Sequence, residues 1–558
     1  MTEFSVMKED EKLKKYFETQ FEIEMNHNPV AATILGYKHE KYDHLLPDGS
    51  INAKEDEIVR LLQQKRKLET EIDYKELSDE GKLDYDLIKY FLNSQDFQLN
   101  ELALWKGGID PLFGSPIGTV ATAIYVLYSR DFAPLDTRVS AIISRLRAAP
   151  RFLEETKSIW IWPVELWVNL VLEEGPRTIG FLQLIQNTVE PNIEPKQLQE
   201  LAKEIETVSK VINEYIDWIN SEVLPRAQHD WVIGSQKFAR LLELRKLGKS
   251  PNEILQLGEK ALEDTKKQLE ELAKDLYPDK TVKEVREIIK VSHPPTFEMV
   301  LEHVRELTQD AREFTRKKNL MKIPEGEDLQ VIPTPSFLVP IIPFAAYSSP
   351  EKFSDNQVGQ YFVTPIEGRE EMLKEHSYAS CKNTAVHEAY PGHHLQLTSA
   401  NLQPNLIRTI VQGNETVEGW AHYCEQLMAE EGFLGKKEVF IQLLDQLWRA
   451  IRIIVDIKLH TGRMTFNEAK ELMIEEIGMD ENAVIAELKR YTFTPGYQLS
   501  YLIGKFLLLD LRNHVRERLG DKYSNQFFHN TILDSGGIPI HFLKRLFDIR
   551  IAKMLNEQ

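Results

Sequence analysis

Cysteine is almost absent from this sequence, whose 558 residues include only Cys381 and Cys424. Two cysteines cannot build a disulfide framework, and such a chain is typical of a reducing compartment. The sequence also lacks any uninterrupted run of about 18 apolar residues, the length needed for a membrane-spanning helix. Its first residues, MTEFSVMKED, are polar and do not resemble a signal peptide. We therefore expect a cytoplasmic protein with no membrane partner.

Positive charge is also in short supply. The chain has 68 lysines and arginines against 87 aspartates and glutamates, which gives a formal net charge of −19 at pH 7. Proteins that bind nucleic acid over a broad surface need a basic face. The charge balance therefore predicts no nucleic-acid partner, and it leaves the oligomeric state unknown.

The predicted fold is mainly α-helical. Residues 1 to about 300 place apolar side chains at three- and four-residue steps among charge pairs, as in IVRLLQQKRKLETEI. The pattern changes near residue 325, where the proline-rich stretch VIPTPSFLVPIIPFAAYSSP predicts short extended pieces and turns. QVGQYFVTP then predicts a short strand, and helical periodicity returns afterwards. We expect a small β element directly before the motif described next.

The stretch NTAVHEAYPGHHLQL begins like the HExxH motif of zinc peptidases. In HExxH two histidines four residues apart share one helix face, and the glutamate between them can take a proton from water. Here Pro391 stands four residues after His387, and the next histidines are His393 and His394. In an unbroken helix His393 would lie about 9 Å along the axis and point about 120° away from His387.

The Pro391-Gly392 pair can break the helix and so change the direction of the histidines that follow it. Pro391 cannot donate an amide hydrogen to the carbonyl of His387, and its ring clashes there, so it distorts the helix. Gly392 can adopt the backbone angles that such a distortion needs. The pair therefore permits a bulge that turns His393 or His394 towards a metal held by His387. The alternative interpretation is that these histidines hydrogen-bond a turn.

A third ligand is expected in GNETVEGWAHYCEQLMAEEG, on a second predicted helix. A catalytic zinc commonly binds two histidines and one carboxylate, which leaves one position open. Glu415 and Glu418 both suit this role, and Glu418 follows His393 by 25 residues (418 − 393), enough for a helix, a turn and a return helix. His422 lies one turn after Glu418 and is expected to support the site or the core.

The segments HEAYPGHHLQ and EGWAHYCEQL resemble an uncharacterised prokaryotic family with the pattern HExxPGHH followed by EGWAxYxE. That family is similar to the gluzincin metallopeptidases, which include angiotensin-converting enzyme, thimet oligopeptidase and Taq carboxypeptidase. The resemblance implies a large two-lobed helical metallopeptidase with a small β-sheet next to the metal-binding helix. It also implies Zn²⁺ ligation by His387, His393 and Glu418, with His394 and Glu415 as the alternative ligands.

The resemblance further implies that Glu388 is the general base. In related gluzincins a tyrosine stabilises the oxyanion, and Tyr501 in RYTFTPGYQLSYLIGKFLLLDLR is similar to that position. Tyr497 lies four residues earlier, on the same face of a predicted long helix, and is the second candidate. Arg490, or its neighbour Lys489, is a candidate to bind a substrate carboxylate, for which the planar guanidinium is well suited.

The segment PFAAYSSP is a candidate for holding the substrate. Zinc peptidases often bind the substrate backbone along an exposed strand edge. We expect Ala345, Ala346 and Tyr347 to supply such an edge. The alternative is ordinary packing within a sheet.

Together these features predict a single catalytic unit over residues 1–558. Residues 1–320 form a mostly helical N-terminal lobe, and residues 321–558 carry the β element, the metal site and the C-terminal helices. The predicted function is zinc-dependent hydrolysis of short peptides, as a carboxypeptidase or an oligopeptidase. A peptide-binding module that has lost catalysis, or a zinc hydrolase of another amide or ester, is the alternative. The intact Glu388 favours an enzyme, because a binding module needs no general base.

Overall fold

The computed structural model describes residues 3–335, 339, 342, 344–365 and 370–556. Within these residues the chain is mainly helical with one small sheet, which confirms the predicted class. The helices before the sheet are α1 (Glu3–His27), α2 (Pro29–Leu35), α3 (His39–Tyr42), α4 (Ile51–Glu71), α5 (Asp79–Asp96), α6 (Pro116–Ser129), α7 (Leu135–Thr156), α8 (Glu165–Val189), α9 (Pro195–Trp218), α10 (Ser235–Leu244), α11 (Pro251–Leu276), α12 (Val282–Lys290) and α13 (Phe297–Lys317). The helices after it are α14 (Tyr378–Glu388), α15 (His393–Asn401), α16 (Leu406–Ile410), α17 (Asn414–Glu430), α18 (Lys436–His460), α19 (Phe466–Ile477), α20 (Glu481–Phe493), α21 (Ser500–Leu519), α22 (Asn525–Leu533) and α23 (Ile540–Asn556).

The sheet lies between α13 and α14 in the sequence. Its strands are β1 (Glu327–Pro333), β2 (Ala345–Ser348) and β3 (Gln357–Val363), in the order β1-β3-β2. β3 runs parallel to β1 and antiparallel to β2, so β2 is an edge strand. β3 is the strand predicted from QVGQYFVTP. Within the proline-rich stretch before it, residues 336–338, 340, 341 and 343 lie outside the described residues.

Local sequence determines where several helices begin. Serine or threonine followed three residues later by glutamate allows each side chain to satisfy a free backbone N–H of the other. Such reciprocal capping begins α11, α12 and α19, at Ser250, Thr281 and Thr465. These three starts are therefore encoded in adjacent residues and do not depend on tertiary contacts.

A crossing of two helices through glycines brings together the helices that carry the candidate site. A Cβ atom on Gly419 of α17 would lie only 2.4 Å from the carbonyl carbon of Gly504 on α21. No larger residue fits this crossing, so the two backbones can approach closely only because both positions are glycine. The close approach places the glutamates of α17 near Tyr497, which lies just before α21, and Tyr501, which lies in its first turn.

The buried core does not stop at residue 320. One cluster of buried apolar side chains includes Leu83 and Val139 together with Tyr361 and Leu543. The division into lobes at residue 320 stays a prediction. Among the residues that the structure describes, none of the helices combines the length and the apolar character of a membrane span.

A buried carboxyl group on α18 predicts an unusual pH dependence of stability. Asp456 is fully buried, and this burial raises its pKa to about 8. The folded chain therefore retains a proton that the unfolded chain releases between about pH 4 and pH 8, so stability falls as the pH rises. We expect Asp456→Asn to increase the free energy of unfolding at pH 8 by about 2–4 kcal/mol, and far less at pH 4. Urea unfolding at both pH values tests this, and an equal difference at both would contradict it.

Candidate metal centre

The motif helix breaks where the Pro-Gly pair predicts a break. α14 ends at Glu388 and α15 begins at His393. Between them the amide of Gly392 donates to the carbonyl of Val386, at 3.1 Å. A Cβ atom on Gly392 would lie 1.9 Å from the carbonyl oxygen of His387, so only glycine fits here. The indole Nε1 of Trp420, on α17, donates to the carbonyl of Pro391 at 2.8 Å and anchors the break.

The break brings His393 beside His387. Their ring centroids lie 4.8 Å apart, with the ring planes at 85°. Glu418 of α17 completes the group, with its Oε2 atom 3.4 Å from Nε2 of His393. One potential ligand atom from each of the three residues lies within 4.8 Å of the other two. The structure thus brings together the three residues that the sequence favours as ligands.

The donor set of this group fits a zinc ion. Nδ1 of His387 is hydrogen-bonded to Oε1 of Glu425 at 2.7 Å, which leaves Nε2 for a metal. Nδ1 of His393 is buried without a hydrogen-bond partner among the described residues. Two imidazoles and one carboxylate are the set that catalytic zinc commonly uses. That zinc is the ion bound stays a prediction.

Electrostatics keep the acidic groups of the centre ionised. Burial alone would raise the pKa of Glu418, but His393 and the hydroxyl of Tyr497 outweigh it and lower that pKa to about 2. Glu425 is also buried, yet His422 and His387 hold its pKa well below the usual value. Both carboxylates are therefore anionic at neutral pH and favour a cation between the histidines.

The alternative ligands have other partners. Nε2 of His394 lies 2.6 Å from Oε2 of Glu327, and its Nδ1 lies 3.0 Å from the hydroxyl of Tyr347. Both ring nitrogens are therefore occupied. Glu415 forms an ion pair with Arg245, the residue that follows α10, and both side chains are almost fully buried. These contacts favour His393 and Glu418 over His394 and Glu415.

The two tyrosines do not lie on one helix, and that prediction was wrong. Gly496 adopts a left-handed conformation with φ of 77°, so Tyr497 falls in a short 3₁₀ turn and α21 begins only at Ser500. The hydroxyl of Tyr497 donates to Oε1 of Glu418 at 2.5 Å. The ring of Tyr501 lies 6.0 Å from that of Tyr497, and no described residue hydrogen-bonds its hydroxyl.

The predicted substrate-binding cations are both paired. Nη2 of Arg490 donates to Oε2 of Glu487 at 3.0 Å, although its guanidinium lies 5.9 Å from the ring of Tyr497. Lys489 forms an ion pair with Glu173 of α8, at 2.8 Å. Arg490 therefore lies near the centre with its charge partly neutralised, and Lys489 is held by a different part of the molecule.

The predicted substrate-binding edge is β2. Ala345, Ala346 and Tyr347 pair with β3 on one side, and the other side of β2 carries no strand among the described residues. The Tyr347 hydroxyl contacts His394, which follows His393 in the motif. This contact fixes the position of the edge strand relative to the candidate ligands.

Comparison with protein families matches residues 29–546 to the bacterial proteins of unknown function called DUF885. The chain belongs to this family. No curated protein matches it. A candidate lipoprotein of unknown function from Shewanella oneidensis shares 21% identity, with a TM-score of 0.77 over 96% of this chain and 99% of that one. A candidate lipoprotein from Colwellia psychrerythraea shares 20% identity, with a TM-score of 0.84 over 98% and 99%. These likenesses show the fold alone.

Glu425 is a residue of this DUF885 chain that the sequence argument did not assign. It is the last glutamate of EGWAHYCE, seven residues after Glu418, and two helical turns place both on one face of α17. Its two oxygens lie 2.7 Å from Nδ1 of His387 and 3.1 Å from Nδ1 of His422. The seven-residue spacing between Glu418 and Glu425 is the feature of the sequence from which this role could have been predicted. The contact with His422 also agrees with the supporting role predicted for that histidine.

We expect Glu425→Gln to weaken zinc binding by about 10- to 100-fold without abolishing it. A carboxylate that accepts a hydrogen bond from a metal-binding histidine orients the ring and makes it a stronger ligand, and an amide does this less well. Loss of such a partner typically lowers metal affinity by about 10- to 100-fold. Titration against a chromogenic chelator measures the affinity. Gln426→Glu, on the exposed side of α17, is a control that changes a neighbouring charge away from the histidines. An unchanged affinity in Glu425→Gln would contradict the role.

Proposed function

We propose that this chain is a zinc-dependent peptidase of gluzincin type that hydrolyses short peptides. The observation that carries the proposal is the group of His387, His393 and Glu418, with Glu388 next to His387 at the end of α14. No described residue hydrogen-bonds the carboxylate of Glu388, so it is available for proton transfer. A site that only bound a metal would have no use for this group.

Each residue around the ion has a separate role in the proposed reaction. When bound, zinc supplies Lewis-acid chemistry that polarises a carbonyl and makes water more acidic. Glu388 takes the proton of the attacking water and then delivers it to the leaving amine. Tyr497 holds Glu418 in place through its hydroxyl. The hydroxyl of Tyr501 has no hydrogen-bond partner among the described residues, and in this proposal it donates to the oxyanion that forms on the substrate.

The proposed role of Tyr501 as an oxyanion donor predicts a large effect of Tyr501→Phe on catalysis. Loss of one oxyanion donor typically lowers kcat by about 100- to 1,000-fold. We expect a decrease of that size with a small change in KM and no change in zinc content. Tyr497→Phe serves as the comparison, because its hydroxyl contacts Glu418 and its loss should weaken zinc binding. A larger effect of Tyr501→Phe on zinc binding than on kcat would refute the assignment.

The substrate backbone is proposed to lie along β2. An extended peptide can add to the free side of an edge strand through main-chain hydrogen bonds. Because Tyr347 ties β2 to the motif, a peptide on this edge would run past the candidate ligands. Under this proposal residues 1–320 and 321–558 form the two lobes on either side of the peptide.

The cellular location is a separate matter. The similar structures from Shewanella oneidensis and Colwellia psychrerythraea are named as candidate lipoproteins, but at 21% and 20% identity they show the fold of this chain and not its location. The cytoplasmic location stays a prediction, and cell fractionation with an antibody against the chain tests it.

Mass spectrometry of a defined mixture of short peptides tests the proposed function. The chain is first stripped of metal with a chelator, then divided, and one half is restored with one equivalent of zinc. We expect cleavage only in the restored half. Stepwise loss of C-terminal residues would indicate a carboxypeptidase, and internal cuts an oligopeptidase. Intact peptides in both halves would contradict the proposal and favour a binding module or the hydrolysis of another amide or ester.

A further inference from the structure

Three arginines lie near Tyr497 and Tyr501, and two of them are held by one carboxylate. Arg452 of α18 lies 4.7 Å from the Tyr501 ring. Its Nη2 and that of Arg490, on α20, both donate to Oε2 of Glu487, at 2.8 and 3.0 Å. Glu487 therefore neutralises part of the charge of Arg452 and Arg490, and its contact with Arg452 connects α18 to α20.

Arg449 is the third arginine, and its donors are less occupied. Among the described residues its Nη1 hydrogen-bonds Asp445, one turn earlier on α18, with the carbonyl oxygen at 3.3 Å and Oδ1 at 3.2 Å. Its Nε is buried and lacks a hydrogen-bond partner among the described residues. The guanidinium lies 4.9 Å from the Trp448 ring and 5.8 Å from the Tyr501 ring. A buried N–H without a partner is costly, and a ligand that accepts its hydrogen bond removes that cost.

A chain of contacts connects Arg449 to the candidate metal centre. Asp445, its partner on α18, also accepts a hydrogen bond from Nδ2 of Asn383, at 2.9 Å. Asn383 lies one turn before His387 on α14. Arg449 is therefore joined to α14 through Asp445 and Asn383, and its guanidinium lies beside Tyr501.

We propose that Arg449 binds the free C-terminal carboxylate of the substrate, an inference that rests on the peptidase function proposed above. A guanidinium presents parallel N–H donors that match a carboxylate, and aromatic rings such as Trp448 hold its plane in place. The substrate class is therefore peptides with a free C-terminus, cut at a fixed distance from that end. Arg449 takes the role that the sequence suggested for Arg490 or Lys489, both of which are paired elsewhere.

Paired peptides test this inference. One short peptide is prepared as the free acid and as the C-terminal amide, and kcat/KM is measured for both with the zinc-loaded chain. We expect the wild type to prefer the acid by about 100-fold, in line with a charge-assisted bidentate contact. Arg449→Gln should lose that preference by slowing hydrolysis of the acid alone, and Arg449→Lys should retain part of it. Lys489→Gln is the matched control and should behave as the wild type does.

Binding to zinc-loaded Glu388→Gln separates this inference from the peptidase proposal. Calorimetry should show tighter binding of the acid than of the amide, and Arg449→Gln on this background should remove the difference. If the wild type cleaves peptides but acid and amide bind and react equally, the carboxylate site is refuted and the peptidase stands. If no peptide is cleaved yet the acid binds more tightly through Arg449, the peptidase proposal fails and the carboxylate site is supported. Equal effects of Arg449→Gln on acid and amide would overturn the inference.

Discussion

Glutamine in place of Glu388 is expected to lower peptide hydrolysis by about 1,000-fold or more, while zinc remains bound. The amide has nearly the shape of the carboxylate but cannot accept the proton of the attacking water, and general acid–base groups contribute effects of this order. Glu388 is not one of the three grouped ligands, so zinc content should stay that of the wild type. Initial rates on a fluorogenic short peptide give the activity, and metal analysis of the same samples gives the zinc content.

The thermal unfolding temperature is the control that shows whether this substitution disturbs the fold. The carboxylate of Glu388 makes no hydrogen bond to a described residue, so Glu388→Gln should leave the thermal unfolding temperature of the zinc-loaded chain within about 2 °C of the wild type. A variant that retains more than a tenth of the activity would show that another group moves the proton. A variant that loses its zinc would show that Glu388 is a ligand.

The second large effect is expected from Glu418→Gln, which should weaken zinc binding by at least about 100-fold, more than loss of a supporting group does. An amide is a neutral and weaker donor than the carboxylate that lies 3.4 Å from His393. Glu415→Gln is the matched control, since it lies on the same helix and is buried, but pairs with Arg245. We expect Glu415→Gln to lower stability, because it removes the carboxylate that neutralises the charge of Arg245, and to change zinc affinity only slightly.

Chelator competition on the two variants gives a clear comparison. If Glu415→Gln released zinc and Glu418→Gln retained it, the third ligand would be wrong. If neither variant changed the affinity, zinc would be bound elsewhere in the chain.

Features encoded in adjacent residues could be predicted from the sequence. The Pro391-Gly392 pair predicts the helix break because both effects, a missing donor and a permissive glycine, act within one turn. The strand β3 and the capped start of α11 follow from local patterns in the same way. Spacing alone left His393 and His394 open, since the choice depends on Glu327, which is 67 residues from His394 in the sequence.

Other features could not be predicted, because residue spacing shows neither the exact start of a helix nor the neighbours that its side chains contact. Tyr497 and Tyr501 have the spacing of one helix face, but Gly496 delays the start of α21 and gives their hydroxyls different surroundings. The sequence also could not predict which arginine is suited to bind a substrate carboxylate. The partner of Arg490 lies only three residues away, but the link from Arg449 through Asp445 to Asn383 arises where α14 and α18 pack together. Periodicity identifies an amphipathic helix and does not show which neighbour its polar residues meet.

X-ray absorption spectroscopy at the zinc edge of the zinc-loaded chain is the most direct test of the metal centre. A site made by His387, His393 and Glu418 predicts nitrogen and oxygen ligands at about 2.0–2.1 Å, with scattering from two imidazole rings. It predicts no sulfur, because both cysteines are buried outside the grouped ligands. Two imidazoles with no sulfur would support the centre on which the proposed peptidase depends. A sulfur shell at about 2.3 Å, or a spectrum without imidazole scattering, would contradict it.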